Sequence, residues 1–253
     1  MKTERFSAER HVAGSEGKRM QKKNVLIAGA SRGLGRNFVR KYLEDGWRVF
    51  AGVRRTDSLA DLKEEYPDSL YAVAMDVSDT ASVQEAAEQV KRVTDRIDLL
   101  INNAGIHSAT SYEVLEKADL DECREVYDVN ALGPLRVVKA FLSLIPTDGT
   151  GMIVNISSDS GSIGTAGRIK EFDYCMSKAA LNMATKLLDN YLADRSIRLL
   201  AVQPGWMRTD MGGQNADLDP YDAAAQLVRL FGEMDRTDRE PLFVGNDGTQ
   251  IPW

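Results

Sequence analysis

Tyr174 and Lys178 lie four residues apart, a spacing that brings two side chains together on one face of a helix. A free phenol has a pKa of about 10 and is a poor base at neutral pH. A nearby ammonium favours the phenolate, so the pair can give a proton to a nascent alkoxide or take one from an alcohol. Ser158 closes the apolar run MIVNIS, where a strand-end hydroxyl can stabilise negative charge developing on a carbonyl oxygen. Ser157 is the adjacent rival for that position. A Y-x-x-x-K spacing is common by chance, so the pair draws its meaning from its surroundings.

The first of these is a glycine loop, Gly29-Ala30-Ser31-Arg32-Gly33-Leu34-Gly35. It follows the apolar run NVLIAGA and opens a helix-like segment through Phe38 and Tyr42. Glycines there allow a tight turn and let backbone N–H groups approach a pyrophosphate, with favourable partial charge from the helix start. The spacing is G-x-x-x-G-x-G rather than G-x-G-x-x-G, and a turn needed only for packing is the alternative. The stretch also matches G-x-S-x-G, with Ser31 as a nucleophile. That elbow needs an acid and then a histidine downstream, and the only downstream histidine is His107, so the match is set aside. A second apolar run ends Gly52-Val53-Arg54-Arg55, with no acid at the turn to hold a ribose 2′-OH. Arg54 falls at the expected ~20 residues beyond the loop. Its guanidinium, with Arg32 inside the loop, suits a 2′-phosphate, which predicts NADP(H) over NAD(H).

These residues need a scaffold. Short apolar runs recur as NVLIAGA, RVFAGV, YAVAM, DLLIN, MIVNIS, RLLAVQ and PLFVG, mostly continuous rather than alternating. Helix-length segments separate them, which reads as βαβ units. The predicted fold is α/β: a single-domain Rossmann fold over 23–253, with a doubly wound parallel sheet of about seven strands flanked by helices. Residues 1–22, rich in charge and small polar side chains, read as a flexible N-terminal extension. Asp76 to Thr80 offers capping oxygens before ASVQEAAEQVKRV. The segment from Tyr174 to Leu192 places Ala180, Ala184, Leu187 and Tyr191 on one apolar stripe. Asn130 sits in a long helical stretch before Gly133-Pro134.

Composition narrows the classes. The net charge is −6 with no basic stripe, which argues against nucleic acid. Two distant cysteines, Cys123 and Cys175, do not form a disulfide framework or a zinc site, and predict a reducing, cytoplasmic setting. Two histidines argue against a histidine-built metal centre. No apolar run approaches the ~20 residues of a membrane span. The start lacks the apolar core of a secretory signal, and Glu4, Glu9 and Glu16 are unusual in a transit peptide.

Five motifs occur in one order: the loop AGASRGLG, Met75-Asp76-Val77, Asn102-Asn103-Ala104-Gly105, the set Ser158/Tyr174/Lys178, and Pro204-Gly205 followed by Thr209. Over about 23–253 the chain thereby resembles the short-chain dehydrogenase/reductase family. The stretches from Tyr174 to Asn182, PGWMRTDMGG and Asp247-Gly248 to Trp253 resemble its C-factor/sniffer-type carbonyl reductase subgroup. The resemblance implies an NADP(H)-dependent oxidoreductase moving a hydride between nicotinamide and a carbonyl or alcohol carbon. It implies that Asp76 and Val77 border the adenine, and that Asn103, Ala104 and Gly105 shape the cofactor cleft. Pro204, Gly205 and Thr209 would hold the nicotinamide side, and Lys178 the nicotinamide ribose. The family aligns the second serine, Ser158, with catalysis, and gives Asn130 a water that links the lysine to solvent. It also implies a homodimer or homotetramer built on helices that include the Tyr-Lys helix.

Two positions depart from the pattern. Ala28 stands where threonine is common, and the segment SDSGSIGTAGRIKEFDY is longer than the family's usual spacing and carries Arg168, Lys170 and Glu171. Trp206, Met207, Met211 and the stretch Asp159–Thr165 are candidates for the pocket wall. Cys175 reads as a buried thiol on the opposite helix face, and His107 as a loop residue at the cleft rim. A competing class is a signalling or regulatory protein that keeps the cofactor fold with little turnover.

Overall fold

The structure is a computed structural model that describes residues 22–253. The extension expected over 1–22 lies, apart from Lys22, outside them.

The seven apolar runs form seven strands: β1 (Asn24–Ala28), β2 (Arg48–Val53), β3 (Leu70–Ala74), β4 (Leu99–Asn102), β5 (Met152–Ile156), β6 (Arg198–Val202) and β7 (Phe243–Val244). They pair in the order β3-β2-β1-β4-β5-β6-β7, and every pairing is parallel. The strand order reverses between β1 and β4, where Ala28 pairs with Asn102. A parallel sheet leaves a crevice at that switch point, outside the carboxyl ends of the strands.

Helices α1 (Gly33–Glu44), α2 (Ala60–Glu65), α3 (Thr80–Lys91), α4 (Cys123–Tyr127), α5 (Gly133–Phe141), α6 (Phe172–Tyr191) and α7 (Pro220–Glu233) flank the sheet. Successive strand residues point to opposite faces, so both faces of β1 are apolar. Val25 and Ile27 join one core with Phe38 of α1 and Phe231 of α7. Leu26 and Ala28 join the other with Val83 of α3 and Phe141 of α5. Asp79 caps α3 by accepting Ala81 N–H at 2.9 Å, as its sequence predicts.

One helix expectation is corrected. The stripe Ala180, Ala184, Leu187, Tyr191 is not the buried face of α6, because Leu187 and Tyr191 are 59% and 67% exposed. The inward face instead carries Ser177, Lys178, Asn182, Thr185 and Asp189 beside Leu181 and Ala184. Burial of these polar groups is tolerated because each is satisfied inside. Asn155 Nδ2 donates to Thr185 Oγ1 at 2.8 Å, and Thr185 Oγ1 donates to Leu181 O at 2.8 Å. Hydropathy periodicity points to the wrong face when the inner one is polar and satisfied. The long helical stretch expected around Asn130 is present: α4 and α5 run on without a break, joined by a π turn over Asp128–Leu132 just before Pro134. Proline lacks the N–H that a continuous α-helix would require there.

Candidate active site

A cleft of about 1370 Å³ opens over the carboxyl ends of the strands, bounded by the glycine loop, the β4–α4 and β5–α6 connections and the segment after β6. Gly29 leaves β1 with φ of 83°, and a Cβ there would lie 2.6 Å from the backbone of Ala104. A Cβ on Gly35 would lie 2.1 Å from Gly29 O. Only glycine allows these close approaches. The turn is fixed by Gly29 and Ala30 N–H groups donating to Gly52 O, and by Asn103 Nδ2 donating to Gly29 O at 2.7 Å. No side chain caps α1, whose first-turn N–H groups lack intrahelical partners beside the cleft-lining Ser31, Gly33 and Leu34.

Arg54 is exposed and lines the same cleft. Arg32 reaches across it, with Nη1 2.7 Å from Asp210 Oδ2. Asp76 accepts from Ser78 Oγ at 2.6 Å and Ser78 N–H at 2.9 Å. The Ser78 hydroxyl above all holds the Asp76 carboxyl below its ordinary range. Val77 is buried beneath it. On the far wall, Pro204, Gly205 and Thr209 line the cleft, and Thr209 packs against Gly33.

Asn130, fully buried in the π turn, accepts Ile106 N–H at 2.8 Å, returns a bond to Ile106 O at 2.8 Å and donates to Ser177 Oγ at 3.0 Å. Lys178 is 3% exposed and donates from Nζ to Ile156 O at 2.8 Å. Burial alone pushes its pKa down to about 8. Its Nζ lies 5.5 Å from the centroid of the Tyr174 ring. Burial pushes the Tyr174 phenol well above its ordinary value, opposed by a hydrogen bond with Ser158. The lysine, expected to lower the phenol, donates here to the end of β5, and burial raises the phenol.

The two serines diverge. Ser157 Oγ donates to the buried Asn182 at 2.5 Å, away from the phenol. Ser158 Oγ accepts Ser160 N–H and lies 3.0 Å from both Asp159 Oδ1 and Ser160 Oγ, on the cleft side. The structure thus brings Ser158, Tyr174 and Lys178 to one cleft, with Asn130 directly behind Gly105 and Ile106.

Trp206, Met207 and Met211 line the cleft. Of the stretch Asp159–Thr165, Asp159 and Ser160 line it, whereas Ser162 and Gly164 turn away. Ser162 Oγ donates to Pro252 O at 2.6 Å and Gly164 N–H to Trp253 O at 2.7 Å. Cys175 is half-buried rather than buried. His107 is half-buried at the cleft, edge-on to Tyr112 at 5.4 Å. Sequence reasoning missed Asp173. Its buried carboxylate accepts Ser108 N–H and Ser111 Oγ, each at 2.7 Å, and ties the β4–α4 connection to α6. An acid one residue before Tyr174 offers no pattern from which that long-range role could be read.

A Rossmann-like sheet with a hydroxyl, a phenol and an ammonium gathered at its switch point defines the class of protein. The chain belongs to the short chain dehydrogenase family, whose pattern it matches over residues 23–219. It is 35% identical over 252 residues to an uncharacterised oxidoreductase of Schizosaccharomyces pombe, covering 91% of this chain and 98% of that one. Its structure is similar to carbonyl reductase Sniffer of D. melanogaster, with TM-score 0.85 and 27% identity, covering 92% of this chain and all (100%) of the other. It is likewise similar to an NADPH-bound carbonyl reductase from chicken fatty liver, with TM-score 0.82, 30% identity and the same coverage, 92% and 100%. Among the described residues, no helix is long and apolar enough to cross a membrane.

Proposed function

We propose that the protein is an NADP(H)-dependent oxidoreductase acting on a carbonyl or alcohol carbon, with Tyr174 as general acid and base. The observation that carries this reading is the convergence of Ser158, Tyr174 and Lys178 on the cleft that the glycine loop opens. The cleft fits the nucleotide: α1 begins uncapped beside it, behind a turn held tight by Gly29 and Gly35. Gly29, Ser31, Gly33, Leu34 and Gly35 would hold the pyrophosphate, and Arg54 and Arg32 a 2′-phosphate. Asp76 and Val77 would border the adenine. Asn103, Ala104, Gly105, Pro204, Gly205, Thr209 and Lys178 would hold the nicotinamide half. The bound nicotinamide supplies or accepts the hydride.

The chain's own residues handle the proton. Ser158 hydrogen-bonds the substrate oxygen and stabilises charge developing on it. Tyr174, kept protonated by burial, gives that oxygen its proton when a carbonyl becomes an alcohol. Lys178 replenishes the phenol. The Asn130 amide is engaged with Ile106 and Ser177, so a water at this point would rest on main-chain atoms. The family resemblance and the outward apolar face of α6 support a homo-oligomer, and the free cysteines a reducing, cytoplasmic setting.

The test is NADPH oxidation with a panel of aldehydes and ketones. Tyr174→Phe is expected to lower kcat by about 100-fold or more while nucleotide binding survives. Saturable nucleotide binding by the wild type with no turnover on any carbonyl would overturn the enzyme reading and favour a regulatory protein.

A further inference from the structure

The two ends of the cleft carry different charges. At the nucleotide end Arg32 and Arg54 are matched by Asp210, which pairs with Arg32, and by Asp76. At the other end, around Tyr174, the charged side chains are Asp159, Glu171 and Arg168. Arg208, which also lines the cleft, is turned onto Ala216 O, Asp217 O and the Asp219 carboxylate. Lys178 is committed to Ile156 O behind the phenol.

Arg168 is itself occupied. It pairs with Glu171 and lies 3.5 Å from Asp159, so it spans the two carboxylates that flank the Ser158–Tyr174 pair. Glu171 is held there against local preference. Its φ of 62° and ψ of 39° are left-handed, and it is one of two non-glycine residues with positive φ among the described residues. Its N–H donates to Ser111 O at 2.8 Å, and its side chain is only 15% exposed. A strained acid three residues before the phenol, packed into the cleft wall, is a placement that calls for a role. The Glu171 and Asp159 charges reach Tyr174 and raise its pKa, with Arg168 opposing them.

We propose that the substrate end of the cleft selects carbonyl compounds by charge, admitting those whose remote group is neutral or cationic and excluding those bearing a carboxylate or phosphate, with Glu171 and Asp159 as the selecting residues. This rests on the oxidoreductase reading above. An anion entering here meets a surplus of carboxylates and can recruit Arg168 only by breaking its existing pairs. The walls between these charges, Trp206 and the edge-on pair His107 and Tyr112, suit a flat apolar body.

The experiment compares three aldehydes on one para-substituted benzaldehyde scaffold: 4-ethylbenzaldehyde, 4-formylphenylacetate and 4-formylbenzyltrimethylammonium. A methylene insulates each charge from the reacting carbonyl. At low ionic strength, kcat/KM with NADPH is expected to be lower for the carboxylate than for the other two by about tenfold, from one unscreened charge at this range. Glu171→Gln with Asp159→Asn should shrink that ratio below about threefold, and Arg168→Gln should widen it. A carboxylate substrate turned over best, or carboxylate turnover lost in Arg168→Gln while the neutral aldehyde keeps its rate, would overturn the proposal and make Arg168 an anion receptor. Failure of all three aldehydes to oxidise NADPH would count against the oxidoreductase reading instead. The charge rule is then read by calorimetry with phenylacetate, ethylbenzene and benzyltrimethylammonium. Tightest binding of the cation or the neutral compound supports it, and tightest binding of the anion, or none of the three, overturns it.

Discussion

Lys178 is a buried base whose charged form is disfavoured in the folded protein, and this has a consequence for stability. Its folded pKa, about 8, lies below the unfolded 10.5. Between those values the unfolded chain holds a proton that the folded one does not, so stability rises with pH from about 8 upward. Above the ordinary phenol value the sign reverses for Tyr174, which stays protonated when folded and ionises when unfolded. Denaturant unfolding of the nucleotide-free protein at pH 7.5, 8.5 and 9.5 is expected to show the rise, worth about 2 kcal/mol over that window by linkage. In Lys178→Met the rise should vanish; an unchanged slope would mean the amine is not buried as described. Ser196 is a simpler case. It adopts φ of 50° on an exposed turn after α6, where glycine is the usual residue. Ser196→Gly is expected to stabilise by about 0.5–1 kcal/mol, a rise in Tm of roughly 1–4 °C. No rise would show that the turn tolerates serine through another contact.

At the scale of elements, the glycine loop and the segment after β6 meet twice across the cleft, at Gly33 with Thr209 and at Arg32 with Asp210. The second contact is an exposed ion pair, of the kind worth about 0–1 kcal/mol. Under the NADP(H) reading, a 2′-phosphate must compete with Asp210 for Arg32. Asp210→Asn is therefore expected to tighten NADPH by about two- to fivefold and leave NADH unaffected, measured by fluorescence titration at low salt. Weaker NADPH binding in this variant would place Asp210 among the groups that help the nucleotide. The β4–α4 connection is tied from two sides, by Asn130 on Ile106 and by Asp173 on Ser108 and Ser111. These ties join one loop, the π turn and α6, distant in sequence, into one wall of the cleft.

At the scale of the whole molecule, the outward face of α6 shows Met176, Met183, Leu187 and Tyr191 to solvent. Under the homo-oligomer reading, Leu187→Asp with Met183→Glu is expected to give monomers by light scattering after gel filtration. An unchanged mass would exclude this face as the interface. All seven strands were legible in the sequence, because a parallel strand buried on both sides must be continuously apolar, as in Leu26-Ile27-Ala28. The glycine loop was legible because turns of this kind have few alternatives to glycine. The inner face of α6 was not, since Asn182, Thr185 and Asp189 are buried through partners far away in sequence. The raised Tyr174 phenol was not legible either, because burial is a property of the packed cleft and spacing alone suggested the opposite sign.

The carbonyls of Pro252 and Trp253 hold Ser162 and Gly164, in the same connection that carries Arg168 and Glu171. This matters for anyone handling the protein. A purification tag, a fluorescent fusion or a surface-immobilisation handle joined at Trp253 would pull on the wall that shapes the substrate end of the cleft.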